Sequence, residues 1–145
     1  MDLPSSKEII EDMAFFDDWE QRYQYIIDLG KSIPPIDESL KTNENLVRGC
    51  QSNVWLINAE QDGKLQFQVA SDAVIVNGLL AMVLAVFNDK SLDHILDFDI
   101  NSYFKELDLL RHITPARGNG LNAIVAKIQA IAKTKTRTST SASTS

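Results

Sequence analysis

A chain of 145 residues with 44% hydrophobic and 23% charged side chains has the size and composition of one soluble domain with one core. Its net charge of −6 argues against the basic surface that general nucleic-acid binding needs. Its one cysteine excludes an intrachain disulfide and any site with two thiolate ligands. A lone free thiol fits a reducing compartment, so a cytoplasmic location is expected. The opening Met1-Asp2-Leu3-Pro4 is acidic and lacks the apolar run of a secretory signal. Residues 73–87 are the most apolar stretch, but they are too few to span a bilayer and include Asn77 and Gly78. Neither nucleic acid nor membrane is an expected partner. The charge is uneven: residues 1–45 carry 4 basic and 11 acidic side chains, a balance of −7, whereas residues 46–145 carry 10 and 9, a balance of +1. That acidity is either a solvated helix surface or a means of steering toward a basic partner.

Ser5-Ser6-Lys7-Glu8 has the form of a capping box, and Ile9, Ile10 and Met13 follow as a short apolar stripe. Asp17 or Asp18 can cap a second helix, in which Trp19, Tyr23, Ile26 and Ile27 share one face. Pro34-Pro35 forbids its continuation. An irregular connection leads to a short extended piece, 46–48, and a turn at Gly49-Cys50. Ser52 to Glu60 predicts a strand, Gln61-Asp62-Gly63 a turn, and the alternation of Leu65, Phe67 and Val69 a second strand facing a core. The 46–48 piece is a candidate third strand. Ser71-Asp72 should cap a helix over 73–87, apolar nearly all round and therefore central. A short helix over 91–96 and another around Tyr103, Phe104, Leu107 and Leu110 follow. Thr114-Pro115 breaks the pattern, Gly118-Asn119-Gly120 reads as a loop, and Leu121, Ile124, Val125, Ile128 and Ile131 mark a last amphipathic helix. The expected fold class is α+β: a small antiparallel sheet of about three strands packed against several helices, in a single domain over 1–133. The Ser/Thr-rich tail, 134–145, cannot bury enough to order itself and is expected to be disordered.

The candidate chemistry centres on Cys50. A lone cysteine is most simply a buried, inert thiol. Here, however, Gly49 precedes it and the small polar Gln51 and Ser52 follow, which indicates a turn before a strand rather than a core position. Reactivity needs the thiolate, and Arg48 is close enough in sequence to favour it. His94 reads as a surface residue, and His112 as a helix-end residue able to cap. A Cys–His pair is open but unsupported by spacing. Asp72 is most simply the start of a helix. Arg117 is most simply a surface charge, although an arginine beside glycines can hold an anion or a carboxylate. No zinc signature, phosphate loop or dinucleotide fingerprint is present in the sequence, and no metal site is expected from one cysteine and two histidines.

Gly49-Cys50-Gln51-Ser52-Asn53-Val54-Trp55 resembles the active-cysteine motif of the SufE family, the sulfur acceptors that partner cysteine desulfurases. Trp19 to Gly30 resembles the family's second helix, Ser71 to Leu79 the start of its central helix, and His112 to Leu121 the segment before its last helix. Together these cover about residues 5–132 in order. The resemblance implies a fold similar to that of iron–sulfur scaffold proteins. It also implies a sulfur carrier rather than an enzyme. Cys50 would take persulfide sulfur from a cysteine desulfurase, stimulate that desulfurase, and pass the sulfur to an iron–sulfur scaffold complex. No cofactor is implied for this chain, because the pyridoxal phosphate belongs to the partner. Gln51, Ser52, Asp72, Arg117 and His112 are the implied supporting or partner-binding residues. Two alternatives are an adaptor that activates a desulfurase by binding alone and an iron–sulfur cluster scaffold. Monomer and homodimer are both open.

Overall fold

The computed structural model describes residues 3–49 and 52–144, with side chains described as far as 135. Helix α1, Ser6–Phe15, begins where Ser5 Oγ accepts the Glu8 amide at 3.2 Å. Helix α2, Trp19–Gly30, begins where Asp18 accepts the Gln21 amide at 2.8 Å. Two 3₁₀ turns, Glu38–Leu40 and Asn43–Asn45, then carry the chain to the sheet.

Strands β1, Val54–Gln61, and β2, Lys64–Ser71, form a hairpin in continuous antiparallel register from Val54↔Ser71 to Gln61↔Lys64. Asp62 and Gly63, at φ 55° and 77°, supply the two positive dihedrals that match a two-residue turn to the twist of the strands. Leu65, Phe67 and Val69 are buried as their alternation predicts, alongside Val54 and Leu56. The sheet has three strands in the order β1-β2-β3, but the third is not the 46–48 piece. That piece makes only a Leu46↔Trp55 bridge and a 2.8 Å bond from the Val47 amide to the Val54 carbonyl. The third strand is β3, Lys90–Ser91, paired to Lys64 and Leu65. Beyond this short pairing, two asparagine amides complete the free edge of β2. Asn88 Oδ1 accepts the Phe67 amide at 2.8 Å. Asn77 accepts the Ser71 amide and donates to the Ser71 carbonyl, at 2.8 and 3.1 Å. Edge groups that would otherwise lack partners are thus satisfied by side chains.

Helix α3, Val74–Phe87, is the central element, with ten of its residues buried. Each large apolar side chain taken fully from water is worth about 1.5–3 kcal/mol. Helix α2 crosses it where two glycines meet. A Cβ on Gly78 would stand 2.2 Å from the Ile26 carbonyl oxygen, and one on Gly30 would stand 2.6 Å from the Gly78 nitrogen. Helices α4, Leu92–Asp97, and α5, Ile100–Leu107, complete the helical layer. The Tyr103 hydroxyl donates to the Met82 carbonyl of α3 at 3.0 Å, and its burial raises the phenol's pKa.

Helix α6, Pro115–Thr144, differs from expectation at its start, because Gly118-Asn119-Gly120 lies inside it. Thr114 is a cap rather than a break: its hydroxyl accepts the Arg117 amide at 3.2 Å, and its carbonyl accepts the Gly118 amide at 2.9 Å. Pro115 takes the first helical position, where a missing amide costs nothing and the fixed φ suits the helix. Leu121, Ile124, Val125, Ile128 and Ala132 form the buried stripe of α6. The Ser/Thr-rich tail overlaps the end of this helix.

The glycine crossing predicts opposite outcomes at two helical glycines. Gly78→Ala forces backbone apart and should cost about 3 kcal/mol or more in urea unfolding. Gly118→Ala meets nothing nearer than Leu110 at 3.7 Å. It should be neutral or stabilising by up to about 1 kcal/mol through helix propensity.

Candidate functional site

Cys50 and Gln51 lie outside the described residues; the site is built from what surrounds them. On the N-terminal side, Val47 is buried and tied to β1, and Gly49 turns the chain with φ at 93°. A Cβ on Gly49 would stand 3.3 Å from the Cβ of Ala123 on α6. The turn before the cysteine is therefore set directly against α6, at a dihedral that other residues rarely adopt. On the C-terminal side, Ser52 is half-buried, and Asn53 Nδ2 donates to the Asp72 carboxylate at 3.1 Å. The Asp72 amide donates to the Asn53 carbonyl at 3.4 Å. Asp72 thus ties the cysteine loop to the connection between β2 and α3. The expected helix cap is corrected on this point. The residue capping α3 is Ala73, without a side-chain bond, and Ser71 Oγ accepts the Ala73 amide.

Beside Ser52 is a small cavity of about 20 Å³, room for about one water-sized group. Its floor is α3, through Val76 and Leu80; its wall is α6, through Arg117, Gly120 and Ile124. The lining is mainly apolar, and the guanidinium-bearing Arg117 stands exposed at its rim. Arg117 makes no ion pair among the described residues. The structure therefore brings Ser52 and Arg117 to one cavity and places Asp72 next to its loop.

His112 is elsewhere. It ends the 3₁₀ turn Leu110–His112, with its ring stacked on Trp19 of α2. It does not line the cavity. His94 is exposed, with Nε2 3.0 Å from the Val86 carbonyl oxygen. The histidine base of a Cys–His pair is thus not among the cavity's lining residues. Among the described residues no cluster of three or more histidine, cysteine or acidic side chains is placed to hold a metal.

Val74 is a surface feature that the sequence pattern hides. It is 61% exposed, although it belongs to a helix apolar nearly all round. Its position in the first turn, beyond the end of β2, leaves it uncovered two residues from Asp72. Arg48, Gly49 and Asn53, which flank the cysteine, are exposed, as are Asp72, Val74 and Arg117.

The fold and site define an α+β domain in which the residues flanking the single cysteine are held by the last helix, at Gly49, and by the start of the central helix, at Asn53. Residues 7–132 match the model of the SufE family, described as an iron–sulfur metabolism associated domain. An uncharacterized SufE-like protein of Rhizobium meliloti is 41% identical over 135 residues, covering 90% of this chain and 96% of its own. One from Rhizobium etli is 39% identical over 137 residues, covering 92% and 93%. The solution structure of a hypothetical protein from Thermus thermophilus shares the fold, with a TM-score of 0.74 at 20% identity over 92% of this chain and 97% of that one. The chain belongs to the SufE family, which is associated with iron–sulfur metabolism.

The dihedral at Gly49 is directly testable. Gly49→Ala should destabilise the fold by about 1–2 kcal/mol, because a side chain is strained at this φ and Ala123 closes the space. Urea unfolding measures it. A stability equal to that of the parent would mean that this turn is not held against α6.

Proposed function

We propose that this protein is a sulfur acceptor that takes persulfide sulfur from a cysteine desulfurase onto Cys50 and relays it to iron–sulfur cluster assembly. The observation that carries the reading is the union of family and inventory. A SufE-family chain has one cysteine, and in sequence it stands between Gly49, which is set against α6, and Gln51-Ser52, of which Ser52 lines a small apolar cavity.

The chemistry needs only one thiol from this chain. The Cys50 thiolate attacks the outer sulfur of the partner's persulfide. A sulfur–sulfur bond forms to Cys50 as the bond to the partner's inner sulfur breaks, and the partner leaves as a thiolate. The sulfur keeps its oxidation level, so no external oxidant or reductant enters. Rate depends on thiolate fraction, on access and on the leaving sulfur. Arg117 supports the step by favouring negative charge on the attacking thiolate and on the persulfide formed. The apolar lining supports it by sheltering a persulfide from reductants and from over-oxidation.

Asp72, with Asn53, fixes the far end of the loop, and Gln51 and Ser52 set its polarity. Val74 and Asp72 give the desulfurase an apolar contact next to a charge. The pyridoxal phosphate stays with the partner, and this chain works as a carrier, not as an enzyme alone. No helix among the described residues is long and apolar enough to cross a membrane. A cytoplasmic place, with the desulfurase and the scaffold complex as partners, completes the proposal.

Turnover of the desulfurase separates the carrier from an adaptor. Wild-type protein should raise sulfide release by the partner in the presence of cysteine and a reductant, and Cys50→Ser should abolish that rise. Stimulation that survives Cys50→Ser would replace the carrier with an adaptor acting by binding alone. Arg117→Ala and Asp72→Ala should each weaken stimulation by about tenfold, the loss of one charged contact of about 1.4 kcal/mol. Their exposed positions predict changes in stability of no more than about 0.5 kcal/mol.

A further inference from the structure

The two edges of the sheet are finished differently. On the outer side of β2, the short pairing with β3 and the side chains of Asn88 and Asn77 take up the backbone groups. On the outer side of β1 the only partners among the described residues are the Leu46↔Trp55 bridge and the Val47 amide, which bonds the Val54 carbonyl. The Asp72 amide, by contrast, bonds the Asn53 carbonyl across the hairpin. In continuous antiparallel register this direction alternates residue by residue. Ile57 and Ala59 therefore turn their amides and carbonyls toward β2, and Leu56, Asn58 and Glu60 turn theirs outward. Among the described residues no other backbone bond from outside the hairpin reaches β1. The strand carries no proline, lysine or bulge, the usual means of blunting an edge.

That edge borders a groove. At Asn58 it opens on a space of about 340 Å³, whose other side is α6 through Lys127, Ala130, Ile131, Thr134 and Lys135. Such a volume is within the range of ligand clefts, about 300–1,000 Å³. The groove is apolar in its middle, at Ala130 and Ile131, and basic toward both ends. Neither lysine makes an ion pair among the described residues, and no acidic side chain lines the space. Glu60, the one acidic residue of β1, is at the hairpin end. Lys127 and Lys135 are about 12 Å apart along the axis of α6, at ~1.5 Å per residue. An extended chain covers that distance in about four residues.

We propose that the outer edge of β1 and the facing side of α6 form a docking groove for an extended, acidic segment of a partner protein, which adds to the sheet as a fourth strand. Its backbone bonds the outward amides and carbonyls of Leu56, Asn58 and Glu60. Its alternate side chains point toward α6: an apolar one against Ile131, with carboxylates on either side of it for Lys127 and Lys135. The charge of the groove selects this occupant over a second copy of the chain. Two copies paired edge to edge are related by an axis perpendicular to the sheet, so both α6 helices fall on one face and their lysines meet as like charges. The proposal does not rest on the sulfur-acceptor reading, because no residue of it belongs to the cysteine loop.

The test uses the full chain and a fluorescein-labelled synthetic peptide, Glu-Thr-Ile-Thr-Glu, followed by fluorescence anisotropy and by amide hydrogen exchange in NMR. Binding should slow exchange at Leu56, Asn58 and Glu60 by about tenfold or more and leave Ile57 and Ala59 unchanged, since these are already bonded to β2. The double variant Lys127→Glu/Lys135→Glu should weaken binding by about tenfold, two exposed charge pairs being lost. Methylating the peptide nitrogens that face the edge should abolish binding, whereas methylating the alternate ones should not. No binding at about 1 mM peptide, where even a weak complex forms, would overturn the proposal. So would binding without the alternating protection, or equal binding of a peptide with lysines in place of the glutamates. Alternating protection that grows with protein concentration alone would give the edge to a second copy and overturn the acidic partner.

Discussion

Everything at the candidate site hangs on how closely α2 can approach α3. Neither Gly30 nor Gly78 leaves room for a methyl group, so the two backbones touch where side chains normally keep helices apart. Close approach lets α3 be buried along most of its length, beyond the exposed Val74 of its first turn, by α2, by the sheet and by the remaining helices. Its first turns then become a fixed floor of Val76, Leu79 and Leu80 for the cavity that Ser52 lines. A packed interior does not deform gradually, so a displacement at the crossing is transmitted to that floor rather than absorbed.

The rest of the site is built by edges and ends. Strand β1 delivers the loop, and a single bridge with Leu46 together with the Val47 bond holds its incoming arm. Gly49 presses that arm onto α6, while Asn53 and Asp72 hold its outgoing arm near the start of α3. The residues on either side of the cysteine are thereby fixed, and Ser52 lines a small apolar space. Neither histidine of the chain lines the cavity, so the cavity itself supplies no imidazole base. Persulfide exchange needs no such base once the thiolate has formed.

Much of this was legible in the sequence, for physical reasons that can be named. Strict alternation at Leu65, Phe67 and Val69 fixed which face of the hairpin is buried, since a one-residue slip would expose all three. Ser5 and the Asp17-Asp18 pair revealed their helices because a side-chain oxygen before an apolar stripe has few other uses, and the structure assigns the second cap to Asp18. What was hidden was long-range or ambiguous. The pairing of Lys90–Ser91 with β2 is two residues long and leaves no periodic trace. Thr114-Pro115 carries the same letters whether it ends a helix or begins one, and only the buried stripe that follows decides. Gly118 and Gly120 suggested a loop, yet both lie within the first turns of α6, beside the cavity and its approaches. His112 suggested chemistry by its type, but Trp19 claims it, and no spacing rule links residues 93 positions apart.

The claim at the centre is that Cys50 accepts sulfur, and intact mass tests it most directly. The protein is incubated with a catalytic amount of cysteine desulfurase and cysteine, without reductant, and weighed. The account predicts a gain of one sulfur atom per chain, reversed by dithiothreitol and absent from Cys50→Ser. An unchanged mass, with the desulfurase turning over in the same tube, would contradict it.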